Sequence, residues 1–212
     1  MKRFIILFFT SIVFLQTPLR ADTISYSIQA GVKVGDAQLR LVGPTVYKGQ
    51  QTLLITFKAK GFNFVDEENI YLNSLTYKPL FVERTYNNEK ISEEYINDGR
   101  QINVTKTVNG KITKQVIEKA MPADNIYGFI YRYRKEGSFK IGEVLELNLP
   151  TNDLKIKLVK RMQLKVIDQQ YNAFYMQSNP SKYKIWFDAS DKKIPLRING
   201  GLGTMVMTKY EN

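Results

Sequence analysis

The side chains that most often do chemistry in proteins are missing from this 212-residue sequence, which contains no histidine and no cysteine. Imidazole is the commonest acid–base group and metal ligand, and thiolate is a strong nucleophile. Without them, serine–histidine and cysteine–histidine machinery cannot be assembled, and zinc, copper or haem ligation through imidazole or thiolate is excluded. Carboxylates remain, and a pair of them suffices for glycoside hydrolysis. The densest acidic group is Asp66, Glu67 and Glu68, between Phe64 and Ile70. Adjacent carboxylates more often form a solvated turn, and that is the expectation for these three. Ser181-x-x-Lys184 and Ser190-x-x-Lys193 match a serine–lysine spacing. Both lie in polar segments with no helix to present the pair on one face, so neither is expected to act. The reading is a protein that is not an enzyme, with no catalytic residue, metal site or cofactor assigned.

Aromatic residues are the more informative class. Phe62, Phe64, Tyr71, Tyr77, Phe81 and Tyr86 follow one another, and Tyr127, Phe129, Tyr131 and Tyr133 crowd a single segment. Most such residues fill β interiors. Some could instead line an apolar cavity of the kind that curled sheets hold. Tyr127, Ile130 and Tyr131 are the candidate lining residues, with Arg132 and Arg134 placed to meet an anionic headgroup. Two residues apart, those arginines cannot share a helix face, so ordinary surface pairing is expected for at least one of them.

The elements that must position these groups are mostly strands. Apolar and polar residues alternate with period two almost throughout, from Ile24, Tyr26 and Ile28 and from Ala37, Leu39 and Leu41 onward. Further strands are expected at 51–59, 70–76, 80–86, 91–97, 101–108, 111–118, 144–149, 153–166, 173–177, 183–187, 194–198 and 204–209. Asn109-Gly110 is the preferred two-residue hairpin turn, because both positions take positive φ. Asp98-Gly99 is a second signal of that kind. Between Ala123 and Tyr133 the spacing changes to three and four, through Ile126, Phe129, Ile130 and Tyr133, with Asp124 placed as the cap. The expected fold is mostly β: a curved antiparallel sheet or half-open barrel of about a dozen strands, with one short helix near residues 124–133.

The first 21 residues read as a cleaved secretory signal peptide: Lys2 and Arg3, an apolar stretch from Phe4 to Leu15, then a polar run ending at Ala21. The stretch is shorter than the ~20 residues that span a bilayer, so no transmembrane anchor is expected. No cysteine follows it, which excludes a lipoprotein. Residues 22–212 are read as a single β-rich domain, exported to the periplasm and stabilised without disulfides. The formal charge of +11 includes Lys2, Arg3 and Arg20, leaving +8 on that domain. The excess is spread along alternating strands such as 154–165, not gathered into a stripe, so nucleic acid is not an expected partner. A modest attraction to anionic lipid headgroups is compatible with it.

In the C-terminal half the order is Tyr131, Arg132 and Arg134, then Phe139 to Glu143. Later come Ile185-Trp186-Phe187-Asp188, Asp191, the run Lys193 to Arg197, and a closing strand around Gly203 to Lys209. This order resembles the exported bacterial family known as domain of unknown function 3108, across most of the mature chain. The resemblance implies a periplasmic β-rich protein with no established enzymatic activity. It also implies an architecture more distantly similar to periplasmic lipoprotein carriers, in which a curved sheet holds acyl chains. On the residues alone, Trp186 reads as a core anchor, Asp191 as a turn former and Pro195 as an edge-strand residue. The expected function is binding of a lipid or other apolar or amphipathic ligand. The competing readings are an envelope adaptor that pairs a strand edge with a protein partner, and a carboxylate-dependent hydrolase of envelope polysaccharide.

Overall fold

The computed structural model describes residues 21–212, so the expected signal segment lies outside the described residues except for Ala21. Eight strands form a first antiparallel meander: β1 (Asp22–Ala30), β2 (Val32–Tyr47), β3 (Gln50–Gly61), β4 (Val65–Asn73), β5 (Pro79–Tyr86), β6 (Glu89–Ile96), β7 (Gln101–Val108) and β8 (Lys111–Glu118). Helix α1 (Ile126–Glu136) follows. A second meander comprises β9 (Val144–Leu149), β10 (Asn152–Val166), β11 (Gln169–Asn179), β12 (Lys184–Asp188), β13 (Pro195–Gly200) and β14 (Gly203–Glu211). The two meanders join where β1 pairs with β14, from Thr23 opposite Glu211 to Gln29 opposite Thr204, giving one 14-stranded sheet. Its edges are β8 and β9, which do not pair, so the sheet curls without closing. Among the described residues no helix is long and apolar enough to cross a membrane.

Because cross-strand partners share a face, the sheet's inner surface can be followed row by row. One row runs Ile28, Met205, Ile198, Ile185, Met176 and Leu158 across the second meander, apolar throughout. Another runs Ile24, Leu39 and Phe57 across β1 to β3, then turns polar with Glu68 and Arg84 before Ile91 and Lys106. The apolar rows and one face after another of α1 form the core. Tyr127, Gly128, Phe129, Ile130, Tyr131 and Tyr133 are all buried, so the helix lies in the concavity of the sheet. Tyr127 stacks on Phe57 of β3 at 4.6 Å between centroids, and Tyr133 lies 5.7 Å from Phe187 of β12. A side chain at position 128 would bring a Cβ within 2.9 Å of the Tyr77 carbonyl oxygen, so only glycine lets the helix pack this closely. Fully burying Ile130 or Phe129 contributes roughly 1.5–3 kcal/mol each.

The cap of α1 is Asn125, not Asp124. The Asn125 side chain accepts from the backbone N–H groups of Tyr127 (2.9 Å) and Gly128 (3.4 Å). Asp124 is committed elsewhere: its carboxylate accepts from Lys78 Nζ at 2.7 Å and from the Asn148 N–H at 3.2 Å. Arg134 and Lys135 in the last turn oppose the negative end of the helix dipole. The segment before the helix ties the turn between β6 and β7 to edge strand β9. Lys119 and Ala123 donate backbone N–H groups to Arg100 and Gly99, and Asp124 donates to the Asn148 carbonyl of β9.

The Asn109-Gly110 turn joins β7 to β8 with φ of 49° and 78°, as its composition predicts. Asp98-Gly99 instead belongs to a 3₁₀ turn, Asn97–Gly99. Trp186 faces outward, stacked on Tyr175 at 4.9 Å with Arg197 above it, because Ile185 and Phe187 hold the inward parity of β12. Pro195 is not on an edge; it opens the interior strand β13, where a missing N–H is tolerated at the first position. Its carbonyl accepts from the Tyr26 hydroxyl at 3.0 Å.

Candidate functional site

Strand β4 begins at Val65, not Ile70, so Asp66, Glu67 and Glu68 lie in the sheet and not in a solvated turn. Alternation then splits them. Glu67 points outward, 3.6 Å from Lys58, while Asp66 and Glu68 continue the inward parity of Ile70 and Leu72. Their compensation is Arg84, opposite Glu68 on β5. Arg84 donates from Nε and Nη2 to the two oxygens of Asp66, both at 2.7 Å, and Nε lies 3.3 Å from Glu68. The Asp66 side chain is 1% exposed and that of Glu68 12%. A bidentate guanidinium is what allows a carboxylate to sit at that depth. Glu68 receives the weaker of the Arg84 contacts, and burial pushes its carboxyl up to about 7, against the opposing pull of Arg84 and a hydrogen bond from the Asn125 side chain. Glu93, inward on β6, is also raised by burial, and the Tyr95 hydroxyl donates to it.

These groups form one wall of a cleft between the inner face of β4 to β6 and the N-terminus of α1. One lobe, of about 320 Å³, is bounded by Asp66, Glu68, Arg84 and Tyr86 on one side. Ile126, Tyr127, Tyr183, Ile198, Leu202 and Met205 bound it on the other. A second lobe of about 240 Å³ runs past Glu93 and Asn125 toward the β9–β10 turn, and shares Glu68, Arg84, Ile126 and Tyr183 with the first. Tyr127 is 7% exposed and lines the cleft. Burial, then the charges of Glu68 and Asp66, raise its hydroxyl well above the ordinary phenol range. The cleft is thus two-sided: ionisable on the sheet, apolar and aromatic on the helix and β13–β14.

Of the five residues singled out in the sequence, Tyr127 lines this cleft. Ile130 is fully buried in the core. Tyr131 is buried with its hydroxyl donating to Asp22 at 2.7 Å, and Arg134 donates to the other Asp22 oxygen at 2.7 Å, so the helix is clamped to β1. Arg132 lies 3.3 Å from Asp124 and borders a separate cavity of about 650 Å³ beside Phe81, Tyr95 and Lys78. Each arginine is therefore paired with its own aspartate on a different side of the helix. The serine–lysine spacings make no dyad: Ser190 donates to Asp188, Lys193 donates to the Ala189 carbonyl, and Ser181 accepts from Gln177. Arg84 was not singled out in the sequence, and Asp66 and Glu68 were named there but assigned to a solvated turn. The signal for those two was present, since Asp66, Glu68, Ile70 and Leu72 are all two apart and share one strand parity. No metal-binding group of three or more carboxylates occurs among the described residues.

No family model, no curated protein and no solved structure matches the chain.

Proposed function

We propose that this chain is a periplasmic, non-enzymatic binding protein for a small amphipathic ligand, held in the cleft between the inner face of β4 to β6 and the start of α1. The observation that carries the reading is the two-sided lining: Asp66, Glu68 and Arg84 face Ile126, Ile198, Leu202 and Met205 across a lobe of about 320 Å³. Such a cleft offers one wall to a hydrocarbon and the other to a polar group, the usual makeup of a small-molecule site. Asp66 and Glu68 stand side by side on one strand and are bridged by the same guanidinium, an arrangement that supports binding better than hydrolysis across a cleft.

The test is native mass spectrometry of the protein purified from its own compartment, followed by organic extraction. A stoichiometric amphipathic molecule, lost on Met205→Glu substitution in the apolar wall, supports the proposal. A bare mass together with no uptake of added amphipaths refutes it.

A protein-partner reading has its own observation. Edge strand β8 is exposed along almost its whole length, with Ile112 61% and Val116 56% exposed. An edge of this kind can accept a partner's strand.

A further inference from the structure

The cleft contains more carboxylate than cation. On its sheet wall, Arg84 faces both Asp66 and Glu68, and its two 2.7 Å bonds are spent on Asp66. Glu68 is left with the 3.3 Å contact to Arg84 and the neutral amide of Asn125, and Glu93 stands on the strand beyond Arg84. A buried carboxylate without its own counter-charge is costly. The opposite wall has the complementary vacancy in hydrogen bonding. Tyr127, a residue 7% exposed, lies against the Asp66 and Glu68 charges with Tyr183 beside it, and neither hydroxyl makes a hydrogen bond among the described residues. A group that fits must donate several hydrogen bonds, carry positive charge and tolerate aromatic neighbours.

We infer that the cleft selects ligands bearing a primary ammonium group, which donates to the Glu68 carboxylate and to the Tyr127 and Tyr183 hydroxyl oxygens. The inference rests on the amphipathic-ligand reading and names the headgroup. Three N–H donors match three acceptors. An anionic headgroup meets repulsion from Asp66, Glu68 and Glu93. A neutral hydroxyl headgroup leaves the excess carboxylate uncompensated. The hydrocarbon attached to the ammonium lies along Ile198, Leu202 and Met205.

Binding of a cation requires Glu68 to be ionised, so affinity rises with pH through the neutral range. The groups facing Glu68 are Asp66 from β4, Arg84 from β5, Glu93 from β6, Asn125 and Tyr127 at the start of α1, and Tyr183 before β12. Of the carboxylates, Glu68 is pushed into that range by burial, which supports the assignment already made from the contacts.

The experiment is isothermal titration of the purified protein at pH 8 with dodecylammonium, dodecyl sulfate and butylammonium, each below its aggregation concentration. It is repeated with Glu68→Gln and at pH 6. Non-specific attraction works against the proposal, because the net positive charge, +8 on residues 22–212, favours the sulfate. The expected result is dodecylammonium bound at least about tenfold more tightly than dodecyl sulfate, the range set by one charge-assisted hydrogen bond. That preference should be lost in Glu68→Gln and weakened at pH 6 in the unaltered protein alone. Comparable binding of both dodecyl probes overturns the ammonium assignment and leaves the amphipathic-ligand reading standing. Butylammonium binding as tightly as dodecylammonium supports the ammonium site, assigns it to small free amines and removes the amphipathic reading. No binding of any probe overturns both.

Discussion

The two meanders share a topology and differ in what their inner faces carry. Across β10 to β14 the inward row Leu158, Met176, Ile185, Ile198 and Met205 is apolar at every strand, and it shares the core with the buried residues of α1. Across β1 to β3 the first meander matches it. From β4 onward the same inward parity delivers Asp66, Glu68, Arg84 and Glu93. One half of the sheet is organised for burial; the far half of the other keeps an ionisable surface facing a cleft. Strand alternation fixes which face a residue occupies but leaves open what that face meets. The function of an open curled sheet can therefore reside in the few strands where inward residues stop being apolar.

The largest losses are expected from one substitution in each half. Phe187→Ala, in the apolar half, should cost about 3–5 kcal/mol in chemical denaturation, the usual range for an emptied aromatic site. Arg84→Met, in the ionisable half, should cost about 3–5 kcal/mol by stranding Asp66, and adding Asp66→Leu should recover a large part of the loss. If the double variant is no more stable than the single one, the pair is not the unit described here.

A pH series then separates the halves without a core substitution. The Glu68 carboxyl is raised from 4.5 to about 7 on folding, so between those values the folded protein binds more protons than the unfolded chain. Stability from this group is fully present below pH 4.5 and is lost as pH rises through 7, by about 3 kcal/mol in total. Glu68→Gln should flatten that slope between pH 5 and 8 in thermal melts; an unchanged slope would assign it to another group. Tyr131→Phe, which removes the donor to buried Asp22, should cost roughly 1.5–3 kcal/mol with no change in ligand uptake. The smallest effect is expected at the exposed edge, where Val116→Lys should shift stability by within about 0.5 kcal/mol. A large loss there would show that β8 is covered.

The strands were readable because alternation is a local property, and so was the Asn109-Gly110 turn. The helix was readable from its spacing, although the cap moved by one residue: Asp124 is drawn away by Lys78 and Asn148, partners that no local pattern reveals. The Asp66–Arg84 pair was hidden for the same reason. Its members are 18 residues apart on neighbouring strands, and their meeting depends on the register of β4 against β5. Tyr127 was identified from its place on the helix, while the wall facing it belongs to β4 and β5, which periodicity cannot place opposite the helix. The seam made by Lys119 to Asp124, stitched to Gly99 and Arg100 on one side and to Asn148 on the other, had no sequence signature either.

The pairing of β1 with β14 has a kinetic consequence. Each meander is built from hairpins between successive strands, contacts that form quickly because little chain separates them. The ladder that unites them pairs Thr23 with Glu211, so loop closure over nearly the whole chain precedes the final sheet. The clamp of Asp22 to Tyr131 and Arg134 depends on the same early strand. Folding is therefore expected to pause as two separately formed curls with open inner faces, and the step that joins them waits for the last strand to emerge.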